Sequence, residues 1–193
     1  MQNRLMRCAI GWVLALNALH LDAAAAATAT EAPPPIAAHG TLQPLFAPWD
    51  NIEAAIIEVI ASARQQVLVQ AYLLTSKKIA TTLLAAHRRG VEVKVLVDAD
   101  QLERVDSSVA PKLAAGGIPV WLETKYQNAH NKVMVIDAAS PKAVVITGSF
   151  NFTWTAQHKN AENLLIVRNN PALAERYASN WERHKNEAIP YKK

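Results

Sequence analysis

The sequence predicts an α/β domain in which a mixed, largely parallel sheet carries helices on both faces. Two observations predict it. Between residues 52 and 123, β-branched apolar runs alternate with helical stretches, and after residue 130 two apolar runs flank a Pro-containing turn and read as a hairpin. The alternation implies parallel strands joined by right-handed crossovers, with the helices covering the sheet.

The elements follow in order. TLQPLF, from Thr41, supplies a short edge strand, because Pro44 has no amide to donate and is tolerated only at an edge. Asp50 followed by Glu53 resembles a capping box with Asp in place of Ser. Behind it Ile52, Ile56, Val59 and Ile60 recur at helical spacing, so a helix should run to about Arg64. QVLVQAYLL suits a buried strand, and KKIATTLLAAHRRG a helix stopped at Gly90. Arg88, Arg89 and Lys94 around that stop read as cations at an ordinary helix end rather than as a phosphate-tracking strip. VEVKVLVDAD is another strand, Ser107 to Ala115 a weaker helix ending at Gly116 and Gly117, and IPVWLE a further strand. KVMVID and AVVIT pair as the hairpin, NLLIVR is the last strand, and a charged helix begins after Pro171.

A composition of 51% hydrophobic and 19% charged residues fits one globular domain and excludes a disordered or fibrous chain. Residues 1–27 have the layout of a secretory signal peptide: Arg4 and Arg7, then a mostly apolar run from Cys8 to Leu21, then small residues from Ala23 to Ala27. The rival reading, a retained anchor, needs about 20 apolar residues, and this run is shorter and interrupted by Asn17 and His20. Removal implies a periplasmic or secreted protein with no stable membrane insertion. It also removes Cys8, the only cysteine, so disulfides, cysteine catalysis and thiolate metal sites are excluded from the mature chain. Residues 28–40, with three consecutive prolines, read as a flexible lead-in, and the folded domain as 41–193. The formal charge of +4 is a mild basic excess that suits a polyanionic partner, although a solvated charged face gives the same balance.

The chemistry concentrates in His130-Asn131-Lys132-Val133-Met134-Val135-Ile136-Asp137, then Gly148-Ser149-Phe150-Asn151, then Glu162. Side chains alternate across a strand, so His130 and Lys132 share a face and Asp137 points to the other. A neutral imidazole can attack phosphorus and form a covalent phosphohistidine. Lys132 can supply positive charge to the non-bridging oxygens, and Asn151 and Ser149 can donate hydrogen bonds to them. Gly148 permits close backbone approach, and a helix starting at Phe150 would offer free amides as a phosphate cradle. For Ser149 the alternative is a helix cap. Asp137 fits a supporting role. The leaving oxygen needs a proton from a group near neutral pKa, most naturally a second histidine. Lysine and asparagine do the charge work here, so no metal or other cofactor is expected.

These residues match the H-x-K-x4-D signature and downstream G-S-x-N of the phospholipase D superfamily, and the element order from Thr41 to about Lys185 resembles its single-motif bacterial Nuc-type endonucleases. The gap between Asp137 and Gly148 is longer than in the compact motif, which implies a larger hairpin turn. The resemblance implies a phosphodiesterase and makes Glu162 the carboxylate that accepts from the other ring nitrogen of His130. Superfamily members with two motifs form a pseudo-symmetric site, so the resemblance also implies a homodimer whose twofold mate supplies the second histidine. Nucleic acid is the expected substrate, DNA first and RNA second. The alternatives are phospholipid head groups or cardiolipin and, in another class, a non-catalytic nucleic-acid-binding module. The mature chain has no segment that reads as an interfacial helix of the basic and aromatic kind, which favours nucleic acid.

His87, His158 and His184 read as solvated surface, with His158 and Lys159 singled out as substrate contacts because they lie between the asparagine loop and Glu162. Tyr72, Trp121, Tyr126, Phe152 and Trp154 divide between core positions and aromatics able to stack on bases.

Overall fold

The structure, a computed structural model, describes residues 32–192. The expected signal peptide lies outside them. From Ile36 onward the chain clusters as one unit. In order it contains β1 (Thr41–Ala47), α1 (Ile52–Ser62), β2 (Gln66–Ala71), α2 (Lys77–Arg88), β3 (Glu92–Asp98), α3 (Ala99–Arg104), α4 (Ala110–Ala115), β4 (Val120–Glu123), β5 (Lys132–Ile136), β6 (Val144–Gly148), α5 (Trp154–His158), β7 (Glu162–Arg168), α6 (Pro171–Glu187) and β8 (Ile189–Pro190).

The strands form one mixed sheet in the order β1-β7-β6-β5-β2-β3-β4-β8. Five strands, β1 to β4 and β6, run one way. Only β2–β3 and β3–β4 pair in parallel, because the hairpin strand β5 and the returning strands β7 and β8 run the other way between or beside them. The parallel share is therefore smaller than the helix-strand rhythm implied: crossovers fix strand direction, but a hairpin inserted beside β2 decides which neighbours actually pair. β1 lies at the edge, where Pro44 is tolerated.

Alternation along the buried strands divides the core. Val67, Val69, Val93, Val95, Met134, Ile136 and Ile146 pack under Ile52, Ile56 and Ile60 of α1, Ile79 and Leu83 of α2 and Leu113 of α4. Leu68, Leu96, Val133, Val135 and Val145 face Ala174 and Trp181 of α6. Burying each large aliphatic contributes about 1.5–3 kcal/mol, so both layers hold the sheet, as the two-faced arrangement predicts.

Local chemistry sets the boundaries. Asn51, not Asp50, caps α1 by accepting from the Ala54 amide at 3.1 Å, because the Asp50 carboxylate is engaged by the Phe46 amide at 2.8 Å. Asp98 caps α3, a short helix that the sequence pattern did not reveal. Arg89 donates to the carbonyl of Ala61 at 3.1 Å, so the basic end of α2 fastens the end of α1, as an ordinary helix terminus should. Among the described residues no helix is long and apolar enough to cross a membrane.

Candidate active site

The carboxyl ends of β1, β2, β3, β4 and β6 and the amino ends of β5 and β7 lie along one edge of the sheet: Ala71 opposes Lys132, Asp98 opposes Glu123, Gly148 opposes Leu164 and Ala47 opposes Glu162. Open sheets bind ligands beyond the carboxyl ends of such strands. The signature residues collect there.

His130 precedes β5 in a segment held at three points. The Ala129 amide donates to Asp98 Oδ2 at 2.7 Å, the Tyr72 amide donates to the Asn131 carbonyl at 2.8 Å, and Lys132 Nζ donates to the His130 carbonyl at 2.8 Å. The imidazole stays exposed and leans on Tyr72, with ring centroids 4.4 Å apart at 58°. Lys132 is only 5% exposed, and its ammonium sits 4.9 Å from the centroid of the same Tyr72 ring. Burial pushes the Lys132 pKa below the ordinary lysine value, and the negative charge of Glu162 pulls it partly back.

Glu162 opens β7. The resemblance made it the acceptor for His130, but in this chain its carboxylate accepts from Ser149 Oγ at 2.6 Å and Asn160 Nδ2 at 2.9 Å. Its negative charge also favours the charged form of Lys132. Ser149 is no helix cap: its hydroxyl also accepts from the Asn163 amide at 3.0 Å. Gly148 is needed for contact with protein, since a Cβ there would stand 2.4 Å from the Asn163 carbonyl oxygen.

The expected amide cradle after Gly148 is absent. The Ser149 and Phe150 amides both donate to the Asn163 carbonyl, the Phe152 amide donates to the Leu73 carbonyl, and α5 begins only at Trp154 with Thr153 as its cap. The loop is set instead by two fully buried rings, Phe150 and Phe152, one on each side of Asn151. Asn151 thus lies between Phe150, whose amide is held by the Asn163 carbonyl, and Phe152, whose amide is held by the Leu73 carbonyl. Its Oδ1 is buried without a hydrogen-bond partner.

Asp137 stands at the far end of β5, about 17 Å from Lys132 at the rise of a strand. Its carboxylate accepts from the amides of Arg64 at 2.9 Å, Gln65 at 2.7 Å and Gln66 at 2.8 Å, and its own φ is +51°. The supporting role expected for it takes the form of a clamp on the start of β2. Strand length separates it from the chemistry more decisively than the alternation of faces.

His158 and Lys159 do not join the hydrogen bonds around Glu162; they gather on Trp154. His184, expected to be solvated, is half-buried and bonds the buried carboxylate of Glu123 at 2.6 Å through Nδ1, while Gln70 donates to the same carboxylate at 3.0 Å. Among the described residues no group of three His, Cys, Asp or Glu side chains is arranged to hold a metal ion. Sequence reasoning missed Asp98 and the role of Tyr72. The usable signal was their position at the carboxyl ends of β3 and β2, where side chains face the site edge.

At this sheet edge an exposed imidazole thus stands beside a buried ammonium, with an amide and a carboxylate on the neighbouring strand ends. The chain belongs to the phospholipase D superfamily: residues 56–185 match the family described as cardiolipin synthase, PLD-like domain. Among solved structures it is similar to Nuc, a phospholipase D family member from Salmonella typhimurium, at a TM-score of 0.74 and 31% identity, covering 80% of this chain and 100% of that one. It is 38% identical over 136 residues to a phospholipase D of Rickettsia typhi, covering 70% of this chain and 64% of that protein. It is also 29% identical over 134 residues to a mitochondrial cardiolipin hydrolase of Xenopus laevis, covering 69% of this chain and 61% of that protein. The chain thus spans less than two thirds of the length of these two relatives.

Proposed function

We propose that the protein is a metal-independent endonuclease of the periplasm or cell exterior. It cleaves DNA with little sequence preference, takes RNA as a further substrate, and works as a homodimer. The observation that carries this reading is the exposed His130 ring held against Tyr72 beside the buried Lys132 ammonium. In the first step a ring nitrogen of His130 bonds to phosphorus and the bond from phosphorus to the leaving oxygen breaks. The departing alkoxide takes a proton from the partner subunit's His130. In the second step a water attacks the phosphohistidine and gives its proton to that second imidazole, restoring both rings. Lys132 and Asn151 stabilise the non-bridging oxygens throughout.

Nucleic acid is favoured over lipid by the match to Nuc along that protein's whole length and by the resemblance to single-motif endonucleases. A second reading, hydrolysis of phospholipid head groups or cardiolipin, is favoured by the names of the Rickettsia and Xenopus relatives. Parallel assays on plasmid DNA and labelled phospholipid, both in excess chelator, test the choice. DNA nicking with lipid left intact is expected. Lipid turnover without nicking would reassign the substrate, and cutting that requires an added divalent metal would refute the metal-independent mechanism.

A further inference from the structure

Trp154 has a surface position that the proposed chemistry does not use. α5 leaves its indole 58% exposed, three residues beyond Asn151 and so within about 11 Å of it along the chain. One turn on, the His158 ring lies 4.7 Å from the indole at 39°, and the Lys159 ammonium stands 5.8 Å from its centroid. The indole walls a cleft of ≈ 400 Å³ with Glu53, Thr75, Ser76, Lys77, Lys78 and His158. The cleft is tied to the catalytic loop, because the Thr75 and Ser76 amides both donate to the Phe152 carbonyl at 3.0 Å.

Charge identifies the ligand. Glu53 is the one carboxylate in that lining, and it is already matched by Lys78 at 3.1 Å and by the Ser76 hydroxyl at 2.6 Å. Lys77 has no carboxylate partner in the wall, so the cleft combines positive charge with the indole surface, and Lys159, outside the lining, brings a second cation to the same ring. Stacking on an aromatic contributes about 1–3 kcal/mol per base, and lysines beside it hold the backbone.

The geometry points to a nucleotide subsite in which an unpaired base next to the scissile phosphate stacks on Trp154 and its neighbouring phosphate is held by Lys77 and Lys159. This rests on the nuclease reading and adds to it a preference for single strands, duplex being cut without this contact. A base paired in a duplex cannot enter the stack.

The test uses the full-length protein, a labelled single-stranded oligonucleotide and a duplex of the same sequence. Trp154→Ala should raise KM for the single strand about tenfold with kcat little changed, and leave duplex KM nearly unchanged. Trp154→Phe, which keeps a ring and checks folding, should stay within about threefold of wild type. On a His130→Ala background, fluorescence polarisation should show the same tenfold loss of single-strand affinity for Trp154→Ala. Equal affinity with and without Trp154 overturns the subsite. Loss of binding to phosphatidylglycerol vesicles while oligonucleotide binding persists overturns it in favour of lipid. Failure of the wild type to cut either DNA sinks the nuclease reading instead, and the polarisation result still decides the subsite.

Discussion

Lys132 donates from its ammonium to the main-chain carbonyl of His130, two residues away, at 2.8 Å. One residue of the signature thus fixes the backbone that carries the other. The same ammonium lies over Tyr72, against which the His130 ring rests, so imidazole and cation share one aromatic support.

The lowered pKa of Lys132 sets a pH dependence. Its charged form is present below its folded pKa and lost as pH rises through it, so the alkaline limb of kcat/KM should fall earlier than for an exposed lysine. Glu162→Gln removes the charge that opposes the shift and should move this limb to still lower pH. Lys132→Gln should cost about 10²–10³ in kcat. For stability the sign is opposite: the unfolded lysine binds its proton more tightly, so this group's contribution rises with pH between the folded and unfolded values. A pH–rate profile unchanged by Glu162→Gln would contradict the coupling.

Tyr72 is a positioning residue. Tyr72→Leu removes the shared support and should lower kcat about tenfold with little change in KM. Tyr72→Phe should be close to wild type, because the hydroxyl makes only a 3.4 Å contact with Asn128. Steady-state kinetics on both variants check this, and a loss in the Phe variant as large as in the Leu variant would assign the role to the hydroxyl.

Asp137 supports the fold, so its loss should register as stability. Asp137→Ala leaves three amides without their charged acceptor and puts alanine at a positive φ. The expected cost is about 2–4 kcal/mol, lowering Tm by roughly 5–15 °C, with activity per folded molecule retained. Calorimetry beside an activity assay below the transition distinguishes this from a chemical role, in which activity falls while Tm holds.

Subunit sharing makes a quantitative prediction. If each cleavage takes one His130 from each of two subunits, mixing wild-type with His130→Ala chains should reduce activity as the square of the wild-type fraction. His130→Ala alone should lose roughly 10⁴-fold or more in turnover while keeping DNA affinity. A linear decline with stable monomers would show that one chain suffices.

The sequence displayed the site more fully than its scaffolding. The fixed order of polar residues among apolar strands was legible, and the strand ends that carry His130, Lys132, Ser149, Asn151 and Glu162 lie along one edge of the sheet. Their partners were harder to read. Glu162 bonds Ser149 and Asn160 across a strand end, a choice made by packing rather than by spacing. Asp98 and Tyr72 looked like the ordinary close of two strands, and only their place at the carboxyl ends of β3 and β2 signalled the site edge. Glu123 and His184 are 61 residues apart in the chain, and only the docking of α6 on the sheet brings them together. Strand order was likewise hidden, because β8 is two residues long and the place where the hairpin joins β2 is a long-range choice.

The most direct test of the phosphohistidine route is the stereochemical course at phosphorus. Each in-line displacement inverts configuration, so a chiral phosphorothioate diester cleaved in isotopically labelled water should give product with net retention after two displacements at phosphorus, by nitrogen and then by water oxygen. Net inversion would mean that water attacks directly and that His130 never bonds to phosphorus.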